Sequence, residues 1–295
     1  MNLKVIPYKL YVLTSSYANN SKALGAIGDA IYRRTGKDRL RASQAFFEAN
    51  AGRVERVASL LADEKSRDVY RSLIQYRCTR ERRYINPHMQ DKKTAYLDRE
   101  LIIPTESEVF VDVGAFQGNS SLFFQALCVS AGRPAPQCVI FEPDPFNCTR
   151  LEKNLPRFIK KPVCFQMGLG RGRGQVNFVP GKFSSSKIEP SGQEVIEVDT
   201  LDHVLEGIPG LPSVSGGSRL PVSYIKIDVE GADLDVLYGA RETIRNIRPR
   251  IAVSIYHSDE HMLAIPEALH GMCPAYKFYV RHYSCMDGET ILYCL

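Results

Sequence analysis

Hydrophobic and polar positions follow two different rhythms along this chain. Up to about residue 100 the apolar positions recur at helical spacing. Val54, Val57, Leu60 and Leu61 share one helical face, and Val69, Tyr70, Leu73 and Ile74 line the next, which Ser66 is placed to cap. From about residue 108, β-branched and aromatic runs alternate with helical stretches, the pattern of a parallel sheet covered on both faces. Strands are expected at 109–113, 137–142, 163–167, 222–228 and 250–256. Helices are expected from about 119, from Pro145 behind an Asp144 cap, over 232–246, and after the strand at 250–256. Short strands near 175–179 and 194–198 read as a hairpin insertion, and "YKFYVRHY" and "TILYCL" as an antiparallel pair at one end of the sheet. The expected organisation is a mainly helical region over 1–100 followed by an α/β domain over 101–295. The stretches 183–187 and 206–221 read as polar and Gly-, Pro- and Ser-rich loops.

The first strand and helix of the α/β domain, "VFVDVGAFQGNSSLFF" (109–124), enclose Asp112, Gly114 and Gly118 in the spacing D-x-G-x-x-x-G. Val109, Phe110, Val111 and Val113 read as a strand buried on both faces, and Asn119 and Ser120 as N-cap candidates. The glycines therefore sit at a strand-to-helix crossover, where open α/β sheets bind ligands. The spacing is not the dinucleotide G-x-G-x-x-G, and an acid at the helix entry would repel a pyrophosphate. It suits a ligand with an amino group. The second strand ends in "FEPDP", which puts Glu142 at its carboxyl end, able to accept from both hydroxyls of a ribose. A close-approach turn, an acid for an amino group and an acid for a ribose together describe S-adenosylmethionine. Ala115, Asn119 and Pro143 flank these positions and belong to the same expected cofactor site.

A third acidic stretch is "YIKIDVEGADLDVLYGA" (224–240). Lys226 and Asp228 point to one side of the strand, and Asp228 and Glu230 emerge at the edge that carries Gly114 and Glu142. They can serve the site, cap the following helix, or both. Gly231 and Gly239 would let that helix pack closely. "GLGRGRGQ" (168–175) lacks the Lys-Ser/Thr of a P-loop and reads as the turn into the hairpin insertion, starting near the adenine edge.

Composition narrows the classes. Lys and Arg exceed Asp and Glu by 38 − 33 = 5, too mild a basic excess for a nucleic-acid binder. No stretch approaches the ~20 apolar residues needed to span a membrane. Lys4 and Lys9 interrupt the N-terminal apolar residues, so no signal-peptide core is expected. None of the eight cysteines forms C-x-x-C, which points to buried thiols, a reduced cytoplasmic setting and no structural zinc.

"FVDVGAFQGNSS", "FEPDP" with Leu151 and Asn154 downstream, "VDTLDHVL", and "YIKIDVEGADLDVLYGA" followed by "RPRIAVSIYH" resemble the FkbM family of methyltransferases. The resemblance runs from about 108 to 295, and "IKIDVEGA" is its most specific block. It implies a class I, Rossmann-like methyltransferase sheet, S-adenosylmethionine as cofactor, and a hydroxyl of a sugar, polyketide or similar small molecule as acceptor. Carried over, Asp112, Gly114 and Gly118 would hold the methionine part and Glu142 the ribose. Residues 1–100 match no pattern of the family.

For the chemistry, Asp228 and His257 are the candidate bases, with Glu230 beside them. His257 follows the strand ending "SIYH" and is expected at the same sheet edge, next to the Asp228 strand. His261 makes an H-x-x-x-H pair with it but lacks the Glu of H-E-x-x-H, so no metal is expected. His282 is a further candidate for lining the pocket. The expected reaction is O-methylation of a small molecule without nucleic-acid or membrane partners, and the oligomeric state stays open. The rival expectation is a non-catalytic module that binds the cofactor or recruits a partner. Base-directed methylation is disfavoured by "DVEG" where Asn/Asp-Pro-Pro-aromatic would stand.

Overall fold

The computed structural model describes residues 22–155, 159, 162–179, 187–188, 191–208 and 222–295. Most of the two expected loops, 183–186 and 209–221, lies outside the described residues. The chain divides into two compact units, the first joining 1–95 to 255–267 and 277–293, the second holding 96–254, 268–276 and 294–295. The helical region is thus one unit with two segments from late in the sequence.

In the first unit, α1 (Lys22–Thr35), α2 (Lys37–Ala49), α3 (Ala51–Leu60) and α4 (Glu64–Thr79) follow one another. Helix α4 buries Val69, Tyr70, Leu73 and Ile74, the stripe its periodicity predicts, and Tyr76 besides. Its cap differs from the expected Ser66. Asp63 has extended backbone and accepts from Ser66 N at 2.7 Å. A carboxylate one step before the helix reaches the free amides better than a hydroxyl inside the first turn. Ser66 instead accepts from Val280 N at 2.9 Å and from Arg281 Nη1 at 2.9 Å. These bonds tie α4 to β10 (Phe278–His282), where Ala62 N also donates to Phe278 O at 2.8 Å. Strand β11 (Thr290–Cys294) neighbours β10, and Tyr283 N donating to Glu289 O closes the turn between them. So short a connection permits only an antiparallel pair.

In the second unit, five strands run in the order β9-β8-β1-β2-β3 and are parallel throughout. They are β1 (Val109–Val113), β2 (Gln137–Phe141), β3 (Val163–Phe165), β8 (Tyr224–Ile227) and β9 (Arg250–Ser254). Strands β1 and β8 are buried along their whole length, as uninterrupted apolar runs require in a sheet covered on both faces. Helices α5 (Asn119–Ser130) and α6 (Pro145–Asn154) follow β1 and β2. Asp144 caps α6 as expected, accepting from Phe146 N and Asn147 N. The cap of α5 is Gly118 in the left-handed region, not Asn119 or Ser120, which already lie inside the helix.

The insertion is a four-stranded sheet in the order β4-β7-β5-β6, of β4 (Gly168–Leu169), β5 (Gly174–Val179), β6 (Lys187–Ile188) and β7 (Glu194–Asp199). Strands β5 and β7 make the expected antiparallel hairpin. Helix α7 (Leu201–Gly207) follows it. The helix expected over 232–246 is two, α8 (Asp233–Gly239) and α9 (Arg241–Asn246). Gly239 lies so close to the backbone that a Cβ there would stand 2.0 Å from Gly170 O. Helix α10 (His261–Met272) precedes the β10–β11 pair. Among the described residues no helix is long and apolar enough to cross a membrane.

Candidate functional site

The loops leaving β1, β2 and β8 surround one cavity at the carboxyl ends of these strands. Gly114 and Phe116 line it after β1, Glu142, Pro143 and Asn147 after β2, and Asp228, Val229 and Glu230 after β8. Met167, Leu169, Phe178 and Ile196 supply an apolar wall from the insertion. The predicted residues Gly114, Glu142, Pro143, Asp228 and Glu230 are brought together here.

Two buried charged side chains shape the β1 loop from opposite sides. Glu142 Oε2 accepts from Phe116 N at 2.7 Å, and Oε1 from Asp144 N at 3.0 Å and Asn147 Nδ2 at 3.3 Å. Burial raises its pKa above the ordinary carboxylate value, against the pull of these bonds and of Lys226. Lys226 works on the carbonyls, donating from Nζ to Val113 O at 3.2 Å and to Gly114 O at 2.6 Å. It stands in register with Asp112 on β1, and its Nζ lies 3.2 Å from Asp112 Oδ1. Burial alone would lower the lysine's pKa, but Asp112 and Asp228 outweigh it and raise it, so the ammonium stays charged.

The loop is also constrained sterically. Gly114 has φ +76, and a Cβ there would stand 1.9 Å from Asp228 O, so only glycine lets the β1 and β8 exits approach. A Cβ on Gly118 would stand 2.6 Å from the Leu155 side chain. Both glycines thus answer to close contacts within the protein. Phe116 and Glu230 lie in the left-handed region without being glycine, at φ 53 each. Such backbone is costly and is found where the surroundings over-determine it.

The remaining predicted cofactor residues stand outside the lining. Asp112 is fully buried, with Lys226 beside it and Ser121 Oγ donating to its Oδ2 at 2.7 Å. Ala115 is buried, its N donating to Phe141 O at 3.1 Å; Gly118 is buried, and Asn119 is exposed on α5. His257 belongs to the first unit, apart from the cavity's lining, with its ring 4.3 Å from that of Tyr256 and 6.4 Å from that of His261. Arg77 holds that segment through Tyr256 O and through Asp259 Oδ1 at 2.7 Å. His282 also lies in the first unit, fully buried, with Nδ1 2.8 Å from Thr290 Oγ1, and burial pulls its pKa down to about 4. Sequence reasoning missed Phe116, Asn147 and the insertion's apolar wall, and it saw Lys226 without its role.

A family model described as the methyltransferase FkbM domain matches residues 112–273, more than half of the chain. The chain belongs to this FkbM methyltransferase family. The match covers the loops after β1, β2 and β8 and the whole insertion, so the residues that line the cavity all lie within the matched span. The hexuronic acid methyltransferase AglP of Haloferax volcanii is 26% identical over 145 residues, 48% of this chain and 54% of that protein. The chain spans about half the length of this curated relative. The crystal structure of methyltransferase FkbM from Methylobacillus flagellatus KT superposes with a TM-score of 0.70 at 24% identity, over 85% of this chain and 60% of that one. The fold is therefore the Rossmann-like α/β fold of class I methyltransferases.

Proposed function

We propose that this FkbM-family chain is an S-adenosylmethionine-dependent methyltransferase acting on a hydroxyl of a small sugar-acid-like molecule. The observation that carries the reading is the lining of the cavity. Three acidic residues, Glu142, Asp228 and Glu230, share it with an apolar wall and, among the described residues, with no Lys, Arg or His. This set fits a ligand with a sulfonium, an ammonium, a ribose and a purine, and it would repel the phosphates of a nucleotide.

When bound, S-adenosylmethionine supplies an electrophilic methyl carbon on positively charged sulfur. Glu142 would accept the ribose hydroxyls, because three N–H groups occupy only part of its roughly four lone-pair positions. Phe116, Phe141, Met167 and Phe178 would exclude water and give the purine an apolar face. Asp228, half-buried, would take the proton of the acceptor hydroxyl, and Glu230, exposed, would orient the acceptor. Positioning of this kind can be worth roughly 7–11 kcal/mol, and a base typically adds ~10²–10⁴-fold. His257 is kept as the second candidate base, to be judged by the turnover of His257→Ala.

The Haloferax volcanii relative supports the sugar-acid acceptor through the hexuronic acid in its name. The free thiols, six of them buried, support a reducing cytoplasmic setting. The test is turnover. Purified protein with S-adenosylmethionine and a panel of glycosides ending in hexuronic acids should form S-adenosylhomocysteine, detected by mass spectrometry. Stoichiometric cofactor binding without S-adenosylhomocysteine on any acceptor would mark a binding module instead.

A further inference from the structure

We propose that Tyr96 and Ser254 are positioning residues that hold Asp228 ionised and fixed in one orientation beside the cavity. The inference rests on the methyl-transfer reading, in which Asp228 takes the acceptor's proton. Ser254, fully buried at the end of β9, places Oγ 2.9 Å from Asp228 Oδ1. Tyr96, 5% exposed, places its hydroxyl 2.8 Å from that same Oγ. The direction of the chain follows from chemistry. An ionised carboxylate only accepts, so Ser254 gives its one proton to Asp228, and Tyr96 must donate to Ser254. The hydroxyls therefore run Tyr96 to Ser254 to Asp228, each polarising the next.

Tyr96 is itself firmly placed. Its backbone is left-handed at φ 64, an uncommon conformation for a bulky residue, and its carbonyl accepts from the Tyr224 hydroxyl. The charges around Asp228 make its protonation state a matter of balance. Lys226 on β8, drawn to Asp228, favours the carboxylate, while Glu230 in the same loop and Glu142 after β2, which share the cavity lining with it, oppose it as like charges. Tyr96 also sets its ring 5.4 Å from Lys226 Nζ. Donation from Ser254 tips this balance toward the ionised form, which a base needs at neutral pH.

The test reads Asp228 directly and needs no acceptor. The full-length protein is labelled with carboxyl-¹³C aspartate and titrated by NMR, with Asp228→Asn assigning the resonance. In Ser254→Ala the Asp228 carboxyl should titrate about one pH unit higher than in wild type. Tyr96→Phe should raise it by less, and Ser254→Thr should restore it. In turnover assays the acid limb of the pH profile should move by the same amounts. An Asp228 titration unchanged in both Ser254→Ala and Tyr96→Phe would overturn the proposal. If Ser254→Ala does not fold, an unchanged titration in Tyr96→Phe overturns it alone. Failure of the methyl-transfer reading would show differently, as a wild-type protein without turnover.

Discussion

Replacing Glu142 by Gln separates two duties that the geometry gives to one side chain. The carboxylate accepts from Phe116 N, Asp144 N and Asn147 Nδ2 at 2.7, 3.0 and 3.3 Å. An amide keeps one acceptor oxygen and turns an NH₂ toward the other position, so one buried N–H loses its acceptor. Such a loss costs about 1–3 kcal/mol. For a chain of this size that is a fall in Tm of roughly 2–12 °C. The cofactor would also lose a charge-assisted bond to its ribose, about 1.5–3 kcal/mol, or a roughly 10–150-fold weaker Kd. The pH dependence has a definite sign. Burial raises the folded pKa of Glu142 above its ordinary 4.5, so the stability linked to it is fully present below 4.5 and is lost as pH rises through the folded value. Gln does not titrate, so the variant's deficit should narrow over that window. Calorimetric titration with S-adenosylmethionine reads the first duty and thermal melts across pH the second. An unchanged Kd would refute the ribose role, and an unchanged Tm would refute the hold on the β1 loop.

Three further outcomes are expected. Gly114→Ala puts a Cβ 1.9 Å from Asp228 O at φ +76, so it should cost about 3 kcal/mol or more and abolish cofactor binding; a wild-type melt by circular dichroism would contradict this. Asp63 is pushed upward by burial, but Arg281 and Ser66 outweigh that and bring its pKa down from 3.8 to about 2. Its stabilisation is present above 3.8 and lost as pH falls through about 2. Allowing for screening of a side chain 35% exposed, Asp63→Ala should cost about 1–2 kcal/mol at neutral pH and almost nothing in strong acid, as denaturant titrations at the two pH values would show. Removing residues 1–95 takes away the partners of Phe278 O, Val280 N and Arg281, so the shortened chain should aggregate on size exclusion, and a soluble product with the wild-type Tm would count against the first unit.

The succession of strands and helices in the second unit was legible because its signals are local. Buried strands such as "VFVDV" and "YIKI" are short apolar runs, and Asp144-Pro145 marks a helix start by itself. What escaped depended on distant partners. The cap of α4 moved from Ser66 to Asp63 because Ser66 is engaged by Val280 and Arg281 of β10. Lys226 was visible on the right face of its strand, but its hold on Asp112 and Gly114 O exists only in the register of β1 against β8. Gly114 and Gly118 were read as a turn that admits a ligand, and the close neighbours that also require glycine there, Asp228 O and the Leu155 side chain, come from distant parts of the sequence. Tyr96 and Ser254 carry no local signal at all, since they meet across 158 positions of sequence.

The measurement that bears most directly on the central claim is to follow the methyl group itself. Wild-type protein is incubated with S-adenosylmethionine deuterated in its methyl group and with a hexuronic acid glycoside, and tandem mass spectrometry locates the label. The account predicts one labelled methyl on a ring hydroxyl oxygen, formed in step with S-adenosylhomocysteine and slowed by Asp228→Asn. A label on the carboxylate would contradict hydroxyl transfer assisted by Asp228. Cofactor consumed by no acceptor in the panel would contradict methyl transfer to a sugar acid altogether.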